Sequence, residues 1–204
     1  REAEVLRKLN MKGVAKLHDT LEFLDVPTPM ALTIQDYIEG EPLQKFINKG
    51  HRFQLEQIGD ILLQLLEILD KLHHGIPKII HRDIKPSNII LNYTPDGGID
   101  VHLVDFGAVS NPQVKGGGST VVGTYGYMAP EQLMGNASAA SDIYSLAIVA
   151  VYLLSGVPPE NLEIQDFHVL IDPHLQPLPH QISAFLRKML APKAEDRITD
   201  YNII

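Results

Sequence analysis

Eight consecutive residues, His81-Arg82-Asp83-Ile84-Lys85-Pro86-Ser87-Asn88, gather an imidazole, a guanidinium, a carboxylate, an ammonium and an amide. A general base must come within roughly 2.6–3.2 Å of the proton it takes, so Asp83 in that role needs a stiff turn to present it. Pro86 supplies stiffness. Lys85 can neutralise charge on a transferring group, and Asn88 offers an amide oxygen to a hard cation such as Mg²⁺. Further on, Asp105-Phe106-Gly107 adds a second oxygen ligand in Asp105, with Gly107 allowing a sharp backbone turn. A base, a cation and two metal ligands around one point are the equipment of phosphoryl transfer.

These groups converge only if the intervening chain brings them together. Two short apolar runs, Ile89–Leu91 and Ile99–Val104, flank the turn-forming Pro95-Asp96-Gly97-Gly98 and predict a β-hairpin. Such a hairpin holds Asn88 and Asp105 at the same end. Upstream, residues 54–74 carry Leu55, Ile58, Ile61, Leu62, Leu65, Leu66, Leu69 and Leu72 on one broad face, extended by Leu63 and Ile68; this predicts a helix buried on most sides. Residues 2–10 read as an amphipathic helix. Val14–Phe23 and Met30–Ile38 read as strands, and Pro42 suits the first turn of a short helix ending near Gly50. Residues 111–120 read as a mobile loop around Gly116-Gly117-Gly118. Helices are expected at 139–155, 161–170 and 180–190. A small mixed front piece before a helical body is an α+β layout.

The totals are those of a folded protein of one or two domains. The chain has 204 residues, 45 % of them hydrophobic and 21 % charged. A formal net charge of −8 argues against a nucleic-acid partner, which would need clustered Lys and Arg. The absence of Cys excludes disulfide and thiolate chemistry and fits a reducing, cytoplasmic setting. The longest apolar stretch, Ile143–Val157, is shorter than the ~20 residues of a membrane-spanning helix, so no membrane segment is expected within these residues. A tether beyond residue 204 stays open. The opening on Arg1 and the close on Tyr201-Asn202-Ile203-Ile204 suggest a piece cut at both ends.

HRDIKPSN at 81–88, DFG at 105–107 and APE at 129–131 together resemble the signature set of protein kinases. The resemblance covers nearly the whole chain. It implies a bilobal α+β fold, with about 1–37 as a partial N-lobe and about 38–204 as hinge and C-lobe. The cofactors implied are ATP and Mg²⁺, and the partner implied is a protein carrying a Ser or Thr acceptor. Asp83, Lys85 and Asn88 become the catalytic residues, with Asn88 and Asp105 holding the metal. Glu2 matches the helix-C glutamate. IQDYIEGEPL (34–43) resembles the hinge, where backbone groups of Asp36 and Ile38 would meet adenine and Gln35 falls at the gatekeeper position; Ile90 joins the nucleotide site. Asp142 resembles the buried aspartate that braces the catalytic loop, and Arg197 the late arginine that pairs with Glu131. His81 and Phe106 read as packed anchors. The other histidines, His73-His74 included, show no metal-ligand spacing and are expected mostly at the surface.

Lys85 and the run GTYGYMAPE resemble the serine/threonine group, and Thr124 is then expected to bond Asp83 and Lys85. Arg82, directly before the base, resembles kinases whose activation loop is ordered by a phosphate, which makes Thr120 the expected acceptor and Ser119 the next. The long link His73–Lys78, KPSNII and DFGAV resemble bacterial, especially cyanobacterial, kinases. Ala147 stands where a glycine is common. The glycine-rich loop and strand lysine of a kinase are expected upstream of Arg1, so the fragment alone is expected to bind ATP poorly. Two rivals stand beside an active kinase. One is a pseudokinase or scaffolding module, against which intact Asp83, Asn88 and Asp105 argue. The other is a small-molecule kinase, against which the APE segment with its paired arginine argues.

Overall fold

The computed structural model describes residues 6–7, 9–23, 28, 30–109, 122–173, 175 and 178–198. Glu2, Ser119 and Thr120 lie outside the described residues, as does most of the amphipathic segment 2–10.

Strands β1 (Leu17–Phe23) and β2 (Met30–Gln35) form an antiparallel pair in which Leu21 faces Leu32 and Leu17 faces Gln35. The chain then enters β3 (Glu41–Pro42) and the short helix α1 (Leu43–Asn48), with Pro42 as its N-cap residue. Helix α2 (Leu55–His74) follows. Its start is tied by the Gln54 N–H donating to the Gln57 side chain at 2.9 Å, and Lys71, His73 and His74 in its last turn suit the negative end of the helix dipole. Ile58, Ile61, Leu65, Leu66, Ile68, Leu69 and Leu72 are buried, whereas Leu55 and Leu63 are exposed. The apolar face is therefore narrower than the composition of 54–74 suggests.

The hairpin forms as expected, from β4 (Ile89–Tyr93) and β5 (Ile99–Leu103). Ile89 pairs with Leu103 and Tyr93 with Ile99. Gly97, with φ of 89°, makes the turn that glycine tolerates at no steric cost. The sheet runs β3-β4-β5, so β5 has an open edge. Gln64 of α2 occupies that edge: its Nε2 donates to the Ile99 carbonyl at 2.7 Å and its Oε1 accepts the Val101 N–H at 3.1 Å. One amide thus imitates a strand partner and fixes the hairpin onto the helix.

After the short helix α3 (Pro130–Leu133) comes α4 (Ala139–Ser155), which is buried on every face from Ala139 to Val151. That is what an apolar sequence without an amphipathic period predicts, and each fully buried Leu, Ile or Val contributes roughly 1.5–3 kcal/mol. Ala147 is wholly enclosed in it. Gly156, at φ 71°, ends the helix in the left-handed conformation.

The helix expected at 161–170 is absent. A 3₁₀ turn at Pro159–Asn161 leads into a two-stranded hairpin, β6 (Ile164–Gln165) and β7 (His168–Val169). Asp166 and Phe167 both take positive φ, 49° and 64°, the signature of a tight two-residue hairpin turn. Glu163, Leu162 and Gln165 have fair helix propensity, but the turn and the Leu170 N–H to Glu163 carbonyl bond at 2.8 Å override it. Helix α5 (His180–Met189) packs back on α4. No helix among the described residues is long and apolar enough to cross a membrane.

Candidate active site

The segment 81–88 is held from behind by one carboxylate. Asp142, fully buried on α4, accepts the backbone N–H groups of His81 and Arg82, each at 2.8 Å. Its Oδ2 also lies 2.8 Å from His73 Nε2 at the end of α2. The histidines outside the motifs are expected mostly at the surface; His73 is instead buried. Its partner lies far away in sequence, so only the fold reveals its place.

Burial pushes the His81 imidazole below its ordinary pKa, against the pull of Asp142 and Asp83. The neutral ring fits its contacts. Nδ1 accepts the Asp83 N–H at 3.3 Å, and Nε2 sits 3.3 Å from the Val104 carbonyl, so the proton belongs on Nε2. The ring meets Phe106 edge-on, centroids 4.9 Å apart. His81 and Phe106 thus lock the turn at 81–88 to the chain beyond β5.

Asp83 is the focus of the polar groups. The Thr124 hydroxyl donates to its Oδ1 at 2.7 Å, Lys85 Nζ lies 2.8 Å from its Oδ2, and Asn88 Nδ2 donates to its Oδ2 at 3.2 Å and to its carbonyl at 2.9 Å. Lys85 Nζ also donates to Thr124 Oγ1 at 2.8 Å, so Asp83, Lys85 and Thr124 form a closed triangle. Burial raises the Asp83 pKa, but the bonds from Lys85, Thr124 and Asn88 outweigh it and hold the carboxyl below the usual aspartate value. It is ionised at neutral pH, ready to accept a proton.

The hairpin sets the two expected metal ligands. The Asn88 carbonyl accepts the Val104 N–H at 2.9 Å, which brings Asn88 beside the residue preceding Asp105. Asp105 adopts φ 65° and its Oδ1 accepts the Gly107 N–H at 3.3 Å, turning the backbone away from β5. Asn88 spends its amide nitrogen on Asp83, which leaves Oδ1 as the atom able to meet a cation; Ser87 Oγ approaches it at 3.5 Å. Among the described residues, no group of three His, Asp or Glu side chains gathers to hold a metal by protein alone. A donor set of one carboxylate and one amide oxygen suits Mg²⁺, which keeps waters and takes phosphate oxygens as its other ligands.

The end of the segment expected to form the hinge, residues 40–42, lies against the same hairpin. Pro42 pairs with Ile90 in β4, and Ile90 pairs with His102 in β5. A Cβ on Gly40 (φ 123°) would run into the Leu91 carbonyl, so the segment crosses β4 at backbone contact. Asp36 N–H is taken by the Lys16 carbonyl at 2.9 Å, which leaves its own carbonyl as the group that could meet adenine. Hydrogen bonds from His18, then from the Lys16 N–H, hold the Asp36 carboxyl below its ordinary pKa. Gln35 is exposed at the end of β2, and Ile38 is half-buried.

Arg82 Nε donates to the Ala108 carbonyl at 2.5 Å, and its NH2 lies 3.4 Å from the Val109 carbonyl. The guanidinium therefore rests on the backbone leaving the DFG turn. Arg197 is spent on structure: it bonds both Glu131 oxygens at 2.6 and 3.0 Å, together with the carbonyls of Ala140, Ala191 and Pro192. Ser141 Oγ adds a bond to Glu131 Oε1 at 2.6 Å. The motif reading overlooked Ser141 and also Gln132, whose buried amide bonds the Arg82 and Val122 carbonyls. Gln132 directly follows APE, and that adjacency was its one visible signal.

The whole chain, residues 1–204, matches the family described as protein kinase domain. Among curated proteins it is 39 % identical over 139 residues to the serine/threonine-protein kinase PknA of Nostoc sp., covering 65 % of this chain and 24 % of that protein. It is 37 % identical over 163 residues to the serine/threonine-protein kinase PknA of Mycobacterium tuberculosis, covering 78 % of this chain and 36 % of that protein. With the serine/threonine-protein kinase B of Synechocystis sp. it shares 33 % identity over 174 residues, 80 % of this chain and 29 % of that protein. The chain thus spans about a quarter to a third of the length of the curated relatives it matches.

Proposed function

Because the chain belongs to the protein kinase domain family, we propose that it transfers the γ-phosphoryl group of ATP to serine or threonine hydroxyls of proteins. One observation carries this reading: an ionised Asp83 held by Thr124, Lys85 and Asn88, with the Asp105 carboxylate one turn beyond the paired strand. The names of its relatives support the choice of Ser and Thr.

Asp83 orients the acceptor hydroxyl and takes its proton as the new P–O bond forms and the bond to the departing ADP breaks. Thr124, bonded to Oδ1, fixes which carboxylate oxygen faces the acceptor. Lys85 offsets charge on the phosphoryl oxygens. Asn88 Oδ1 and the Asp105 carboxylate would hold Mg²⁺, which supplies neutralisation of the phosphates. The carbonyl of Asp36, the N–H of Ile38 and the side chains of Gln35 and Ile90 would line the adenine, and Glu2 would serve the phosphate end. Arg82 would order the loop once Thr120, or failing that Ser119, carries a phosphate. Phosphosite mapping of active protein tests that step, and Thr120 and Ser119 both found bare would end it.

The test of the function is transfer from γ-labelled Mg-ATP by the full-length protein to a generic Ser/Thr protein acceptor, followed by phosphoamino-acid analysis. Label on Ser or Thr is expected. Tight nucleotide binding without transfer would make the domain a pseudokinase. Label carried only by small-molecule alcohols would make it a small-molecule kinase.

A further inference from the structure

Gln132 adds a backbone tie between two segments that otherwise meet through the side chains of Asp83, Lys85 and Thr124. It is buried on α3, and its Nε2 donates to the Arg82 carbonyl at 2.6 Å and to the Val122 carbonyl at 2.7 Å. Both acceptors are carbonyl oxygens, so the amide orientation is fixed with nitrogen inward. Oε1 is then buried without a hydrogen-bond partner among the described residues. An orphaned buried acceptor is costly, a cost that a packing residue such as Leu or Met would avoid. The two donated bonds are what the glutamine is for.

Those carbonyls belong to the two segments whose alignment makes the site. Arg82 immediately precedes Asp83 and has φ 69°, a conformation rare for a non-glycine residue that surrounding contacts must hold. Val122 stands two residues before Thr124. Gly123 between them runs at φ 140°, and a Cβ there would lie 2.5 Å from Gln132 Nε2 and 2.7 Å from Met128 Cγ. A bare backbone at 123 is what lets the amide reach across.

We propose that Gln132 is a positioning residue for phosphoryl transfer, its amide clamping the catalytic loop to residues 122–124 and so holding Thr124 against Asp83. The proposal rests on the phosphotransfer reading above. The groups facing the Asp83 carboxyl are Lys85 and Asn88 from its own loop, Thr124 from the facing segment and neutral His81 behind it, with Asp105 and Asp142 the further charges around that histidine. Gln132 bonds backbone carbonyls and acts on the carboxyl through Thr124.

The test uses the full-length protein and the variant Gln132→Met, which keeps the volume and removes both donors. Turnover should fall about tenfold to a hundredfold with KM for ATP unchanged. In a Thr124→Val background the same change should lower turnover little further, since the route it uses is already gone. Gly123→Ala, which crowds the amide, should repeat the Gln132→Met behaviour in an otherwise unaltered glutamine. Parental protein that transfers phosphate while both single variants keep the parental turnover would overturn the clamp and leave the function standing. Activity lost through a raised KM for ATP, or an equally large further loss of turnover in the Thr124→Val background, would also overturn it. Parental protein without transfer would instead strike the phosphotransfer reading itself.

Discussion

His73 Nε2 and the backbone N–H of His81 meet the same oxygen of Asp142, each at 2.8 Å. Through that atom the end of α2, the core of α4 and the turn at 81–88 are tied together. Asp142 is fully buried and His73 nearly so, so neither partner can turn to water when the other is removed.

Asp142→Ala should therefore destabilise the protein by about 3–5 kcal/mol, the cost of breaking a buried polar pair. His73→Leu, which removes one bond and keeps the bulk, should cost about 1–3 kcal/mol. Equilibrium urea unfolding measures both. Equal, small losses would mean that the shared oxygen is not the joint described.

The Glu131–Arg197 pair makes a pH prediction. Burial raises the Glu131 pKa, but bonds from Arg197 and Ser141 outweigh it and leave the carboxyl below its ordinary value of 4.5. A folded pKa below the unfolded one gives stability that is complete above the unfolded value and is lost as pH falls through the folded value. Between about pH 5 and pH 3 the parental protein should lose more stability than Glu131→Gln, in which this titration is absent. Thermal unfolding across that range tests it, and parallel curves would contradict it. Arg197→Lys cannot reproduce the forked bonds and should cost about 3 kcal/mol at neutral pH.

Much of this architecture was legible in the sequence, for physical reasons that differ by element. The apolar period of 54–74 predicted α2, because a helix that must bury Ile61, Leu65, Leu69 and Leu72 has to space them so. Pro95-Asp96-Gly97-Gly98 predicted the β4–β5 turn. Asp83, Asn88 and Asp105 could be grouped because a single hairpin carries the last two. Residues 161–170 misled, since the β6–β7 turn is built on Asp166 and Phe167 with positive φ instead of the glycine or asparagine that announces such turns. His73 and Gln132 stayed hidden for another reason. What defines each is a bond to a segment remote in sequence, and no local pattern encodes it.

Thr124 should tune the pH range of activity. Its hydroxyl is one of the bonds holding the Asp83 carboxyl below the ordinary value, so Thr124→Val should raise that pKa and shift the acid limb of kcat/KM upward. A pH–rate profile of the variant beside the parent decides this. An unmoved limb would separate Thr124 from the titration of the base.

The assigned metal ligands predict different responses to magnesium. Asn88→Ala should raise the Mg²⁺ concentration needed for half-maximal transfer, and chelation should abolish transfer in the parent. Asp105→Asn, which removes the one carboxylate of the pair, should be the more damaging change. Metal titrations of initial rate read both effects. Unchanged Mg²⁺ dependence in both variants would remove Asn88 and Asp105 from the metal site.

The most direct test of the account is the turnover of Asp83→Asn with Mg-ATP and a protein acceptor, measured in full-length protein whose thermal unfolding matches the parent. The account predicts a loss of about 10²–10⁴-fold, the contribution of a positioned general base, with nucleotide binding retained. A variant that turns over at the parental rate would contradict it, and the residue at the centre of the Thr124, Lys85 and Asn88 contacts would not be the base.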